Sequence, residues 1–158
     1  VLSTPIPTRD FNSHMIKFAI ASDHAGFALK EAIKKAFAHE VEWNDLGTHS
    51  ADSVSYADFG HAMGKAISEG RAARGIIICG SGIGISMAAN RHNGVRAALC
   101  TNATMARLSR LHNDANVLAL GARVTGSEVA LDCVRAFLDT DYEGGRHQAR
   151  VQAIDLKP

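Results

Sequence analysis

The sequence predicts an α/β protein: a three-layer α/β/α sandwich around a five-stranded parallel sheet, doubly wound in the Rossmann or flavodoxin-like manner. Two observations carry this. Short apolar runs alternate with longer segments of helical periodicity, a pattern that puts helices on both faces of a parallel sheet. The third run, Ile76-Ile77-Ile78, is β-branched throughout and stops at Cys79 before Gly80, Gly82 and Gly84, after which the pattern turns helical. That strand, glycine turn and helix form the unit that such sheets use to hold ligands at strand ends.

The elements follow in order. Residues 1–14 hold two of the three prolines and show no periodicity. They read as a vector-derived remnant or a disordered extension, and residues 15–158 as a single domain. Residues 16–21 are the first strand, ending in Ser22-Asp23-His24-Ala25-Gly26. The next helix sets Phe27, Leu29, Ile33, Ala36 and Phe37 on its apolar side and Lys30, Glu31, Lys34 and Lys35 outside. Residues 41–46 form a second strand, 47–55 a polar loop, and 56–69 a helix with Phe59, Met63 and Ile67 spaced by four. Beyond the glycine turn, 95–99 is the fourth strand, 103–111 a helix running into His112-Asn113-Asp114, and 117–120 the fifth strand. Ser127 reads as the N-cap of a helix over 127–138, and 146–156 as a last, more polar helix.

Composition excludes several classes. The chain has 158 residues, 46% of them hydrophobic, enough for a real core. A formal charge of +1 gives no argument for nucleic acid or an anionic membrane surface. No apolar run approaches the length that spans a bilayer. Three widely spaced cysteines, Cys79, Cys100 and Cys133, favour free thiols in a reducing cytoplasm over a disulfide framework.

Gly80-Ser81-Gly82-Ile83-Gly84 is neither the dinucleotide fingerprint, which needs a glycine at position 85, nor a Walker loop, which needs Gly-Lys-Ser/Thr. It can still aim several amides at one anion, helped by the helix that follows. Cys79 stands at the strand end as a nucleophile, as a base toward a carbon acid, or as a buried inert thiol. Cys100 and Cys133 lack any glycine loop and read as packing residues. Asp23 and His24 end the first strand, where an acid and an imidazole can bind a hydroxyl and a phosphate; Asp23 can equally cap the next helix. His112 is either a favourable charge at a helix C-terminus or a general acid–base. Arg146 and Arg150, four apart, form either a solvated basic face or a phosphate clamp.

Five stretches carry a resemblance: 22–26, 78–86, 108–118, Gly-Ala-Arg-Val at 121–124, and Tyr-Glu-Gly-Gly-Arg-His-Gln-Ala-Arg-Val at 142–151. In order, and across nearly the whole chain from Met15, they resemble the type B ribose-5-phosphate isomerases, whose superfamily includes the allose- and galactose-6-phosphate isomerases. The resemblance implies an isomerase of ribose 5-phosphate and ribulose 5-phosphate, with a six-carbon sugar phosphate or a non-catalytic phosphosugar-binding module as alternatives. Its implied roles are ring opening by His112, assisted by Asp23 and Asn113, and proton transfer by Cys79 through a cis-enediolate. The amides of Gly80, Ser81, Gly82, Ile83 and Gly84 become an anion hole, and the Ser81 hydroxyl a relay beside Cys79. His24, Arg123, Arg146 and Arg150 take the phosphate, and Tyr56 matches a substrate-loop tyrosine. Many relatives read Asp-Tyr-Pro where this chain has Ser55-Tyr56-Ala57. A homodimer or dimer of dimers is implied, with Cys79 and His112 of one site on different chains. No metal or organic cofactor is implied.

Overall fold

The computed structural model describes residues 15–155. Five parallel strands stand in the order β2-β1-β3-β5-β4: β1 Ile16–Ser22, β2 Val41–Asp45, β3 Gly75–Cys79, β4 Ala97–Leu99 and β5 Val117–Gly121. The helices between them are α1 Phe27–Ala36, α2 Tyr56–Ser68, α3 Ile83–Ala89, α4 Ala103–Asn113 and α5 Ser127–Asp139, followed by a 3-10 turn Gly145–His147 and α6 Gln148–Ile154. Among the described residues, no helix is long and apolar enough to cross a membrane. The reading of residues 1–14, and the end of the last helix at Leu156, lie outside the described residues.

Successive side chains of a strand leave on opposite faces, and this alternation builds two cores. Phe18, Ile20, Ile76, Ile78, Leu118 and Leu120 pack with Ile33, Val134 and Phe137 on one side. Ala19, Ala21, Ile77, Cys79, Val117 and Ala119 pack with Met63, Ile85 and Ala89 on the other. The three isoleucines are fully buried, as a central parallel strand requires. Crossovers from β1 go to β2 on one side, while β3 opens the half containing β5 and β4. The chain therefore reverses direction between β1 and β3, and their carboxyl ends, Asp23 and Cys79, share that crevice.

Several expectations need correction. Lys30 is fully buried rather than outside, because its ammonium lies 2.7 and 2.6 Å from the two carboxylate oxygens of Asp45 at the end of β2. Helix α3 starts at Ile83 and not after Gly84. Gly82 is its N-cap, at φ +79°, where an added Cβ would meet Leu99 and the Leu120 backbone. The fourth strand shrinks to three half-buried residues, a short edge strand. Gly126, not Ser127, is the N-cap of α5. Arg146 lies in the 3-10 turn, closed by the His147 amide on the Gly144 carbonyl at 3.1 Å, so it precedes the last helix, which holds Arg150.

Candidate active site

A cavity of about 680 Å³ opens at the β1–β3 crevice, lined by Asp23, His24, Tyr56, Cys79, the glycine turn, Met87, Arg123 and Val124. Cys79 is 3% exposed, and its sulfur accepts the Gly82 amide at 3.1 Å. The thiol thus sits in the cavity wall with a main-chain donor already on it. The Ser81 hydroxyl accepts the Ile83 amide at 3.2 Å, and no hydrogen bond joins it to Cys79 among the described residues. Cys100 and Cys133 sit in the core on the opposite face of the sheet. Burial, with Cys133 beside it, pushes the Cys100 thiol up to about 12, and burial followed by the Asp132 charge raises Cys133.

The Asp23 carboxylate accepts the Gly26 amide at 3.0 Å, so it shapes the turn into α1 while facing the cavity. His24 has a structural task that the sequence did not reveal. Its Nδ1 accepts the Val54 amide at 3.1 Å, tying the 47–55 loop to the strand end. An accepting Nδ1 puts the neutral ring's proton on Nε2, which remains a donor. The same loop is held at its start, where the Asp45 carboxylate accepts the Gly47 amide at 2.9 Å. Tyr56 follows this loop, and its ring lies over Gly84 so closely that any Cβ there would displace it. Arg123 drapes over Gly80, its amide on the Gly80 carbonyl at 2.9 Å.

His112, Asn113, Arg146 and Arg150 are not in this cavity. Helix α4 starts beyond the carboxyl end of β4 and runs back to the amino end of β5, so His112 stands at the opposite rim from Cys79. Five residues of strand rise, roughly 15 Å, lie between the two levels. There the His112 ring stacks on His147 with centroids 4.4 Å apart and planes at 18°. Arg146 approaches Glu143 at 3.7 Å, and the Glu143 amide docks on the Leu111 carbonyl at 3.1 Å. One chain therefore holds two separate groups of the expected residues.

A family model described as Ribose/Galactose Isomerase matches residues 18–154. Ribose-5-phosphate isomerase B of Escherichia coli is 47% identical over 141 residues, covering 89% of this chain and 95% of that protein. The solved ribose-5-phosphate isomerase B of Clostridium thermocellum superposes with a TM-score of 0.86 at 51% identity, over 88% of this chain and 95% of that one. The Mycoplasma genitalium enzyme, solved with ribulose-5-phosphate bound, gives 0.85 at 38% identity, over 89% and 95%. The chain belongs to the ribose/galactose isomerase family.

In this family member, sequence reasoning overlooked three features near the two groups. Met87 and Val124 line the Cys79 cavity and are more than half exposed, with Tyr56 and Ile83 close behind at 48%. The sequence groups Met87 with the apolar Ile85, Ala88 and Ala89 of the helix after the glycine turn, which carries no mark of a cavity. Asn102 caps α4, its side chain accepting the Met105 amide at 2.9 Å, and asparagine at that spacing was a readable signal. His147, given no role from the sequence, is 5% exposed against His112. Its i, i+4 relation to Glu143 was the available hint.

Proposed function

We propose that this chain is an aldose–ketose isomerase interconverting ribose 5-phosphate and ribulose 5-phosphate. The observation that carries the reading is a cysteine sulfur in the wall of a sugar-sized cavity with a main-chain amide on it, in a chain whose relatives bear that activity in their names. The phosphate goes to His24, Arg123, Arg146 and Arg150, and the sugar lies against Asp23, Tyr56 and Asn113. His112 opens the furanose as acid–base on the ring oxygen and the anomeric hydroxyl, with Asp23 and Asn113 assisting. Cys79 as thiolate removes the C2 proton. The C–H electron pair becomes the C1–C2 double bond of a cis-enediolate as the C1 carbonyl pair moves onto O1; the proton returns to C1 as the C2 carbonyl forms, the O2 proton passing to O1. The amides of Gly80 through Gly84 form the anion hole for the enediolate oxygens, those of Gly82 and Ile83 giving up the Cys79 sulfur and the Ser81 hydroxyl they hold here, with Ser81 as relay. A preorganised donor of this kind contributes about 3 kcal/mol to the transition state.

The same reading takes Cys79 and His112 of one site from different chains of a homodimer or dimer of dimers. Their separation across the sheet supports it, as do the exposed Tyr56, Ile83, Met87 and Val124 around the cavity, an apolar rim that a second chain would cover. One sheet with a core on each face supports a single isomerase domain beginning at residue 15. Three free thiols support a cytoplasmic setting. The test is turnover of competing sugars by the purified protein. Ribose 5-phosphate should exceed allose 6-phosphate and galactose 6-phosphate by roughly 10- to 100-fold in kcat/KM. Equal or faster turnover of a six-carbon sugar overturns the assignment.

A further inference from the structure

Among the described residues, three metal-ligating side chains converge in one place: the donor atoms of His112, Glu143 and His147 all lie within 4.8 Å of one another. His112 stands in the last turn of α4, while Glu143 and His147 are four apart across the bend into the 3-10 turn. Two features make this more than a chance cluster. His147 is 5% exposed, yet its Nε2 has no hydrogen-bond partner, an uncommon state for a buried ring nitrogen. The Glu143 carboxylate is 3.7 Å away, beyond hydrogen-bond reach but suited to sharing a cation between the two groups.

We propose that His112, Glu143 and His147 bind a divalent transition-metal ion, zinc foremost, and that the bound ion inhibits the isomerase by occupying His112. The inhibition rests on the role given to His112 above; the binding does not. Two imidazoles and one carboxylate are the donor set of open zinc sites, with a fourth position left for water, whereas magnesium and calcium take oxygen ligands. The ion has only a loose competitor for Glu143, the exposed Arg146 at 3.7 Å. Arg146 and Arg150 repel a cation, which makes this a site of reversible occupancy instead of a resident cofactor.

Zinc titration by calorimetry into the Cys79→Ala protein removes the competing cavity thiol. One zinc per chain is expected, with binding weakened at least about 30-fold in Glu143→Gln and His147→Gln versions. Glu143 is exposed, so the first substitution leaves folding intact and keeps the test valid if the second does not. No binding, or binding that neither substitution weakens, overturns the site. In the otherwise unaltered enzyme, zinc should suppress turnover, a chelator should restore it, and Glu143→Gln should resist it. Suppression that persists in Glu143→Gln overturns the inhibition. Zinc held by these residues without any loss of turnover upholds the site but overturns the inhibition and counts against ring opening by His112.

Discussion

At the carboxyl rim, Cys79 faces a cavity with Asp23, His24, Tyr56 and Arg123 around it and apolar side chains left open to solvent. At the opposite rim, His112 stacks on His147 beside Glu143, with Arg146 close by. The first rim has the Cys79 sulfur, main-chain amides and Arg123, and the second has His112 and Arg146. Neither has all the parts that aldose–ketose chemistry needs. On the proposed reading, the two become one constellation when a rim of one chain meets the other rim of its partner, which a two-fold axis does twice at once.

The largest contrast lies among the cysteines. Cys79→Ala should lower kcat for ribose 5-phosphate by about 10³-fold, the scale of a lost general base. Cys100→Ala should leave kcat within about twofold, because that thiol sits in the core, held protonated by its burial. Steady-state assay of both proteins checks this, and comparable losses would contradict Cys79 as the base.

Next in size is His112→Asn. Turnover of the cyclic aldose should fall by about 10²-fold, with a clearly smaller loss on the open-chain ketose. Equal losses in both directions, measured by coupled assay, would detach ring opening from the second rim.

At Asp45, which ties α1 and the carboxyl-rim loop to the end of β2, stability should change far more than turnover. Burial raises its carboxyl, but hydrogen bonds from Lys30, Lys34 and the Gly47 amide outweigh that and hold it below the usual aspartate value. A carboxylate with a lowered folded value adds stability above its unfolded value. That contribution is lost as pH falls from about 4 through the folded value. Asp45→Asn should cost on the order of 3 kcal/mol in urea unfolding at pH 7 by stranding the Lys30 charge. It should also remove this acid dependence and change kcat by less than about threefold.

The sheet was legible because a parallel strand buried on both faces is an uninterrupted apolar run, and Ile76-Ile77-Ile78 is one. The glycine turn and Asp23-His24 were legible because strand ends gather polar residues. Lys30 was not, since helical periodicity groups it with exposed lysines and its partner is 15 residues away on another element. The bond from Val54 to His24 joins positions 30 apart, and the stack of His147 on His112 joins positions still farther apart. Contacts of that range leave no periodic trace. The separation of His112 from Cys79 is a property of topology: it follows from the order in which α4 and β5 are laid down, not from the residue types at either position.

The account depends on Cys79 of one chain working with His112 of another, and mixing two inactive proteins tests this directly. Cys79→Ala and His112→Asn chains are denatured together and refolded, with native mass spectrometry confirming mixed assemblies. Each mixed dimer regains one intact site of two, so the mixture should recover about a quarter of the unaltered activity. A mixture of proven mixed dimers that stays as inactive as its parents would contradict the shared site.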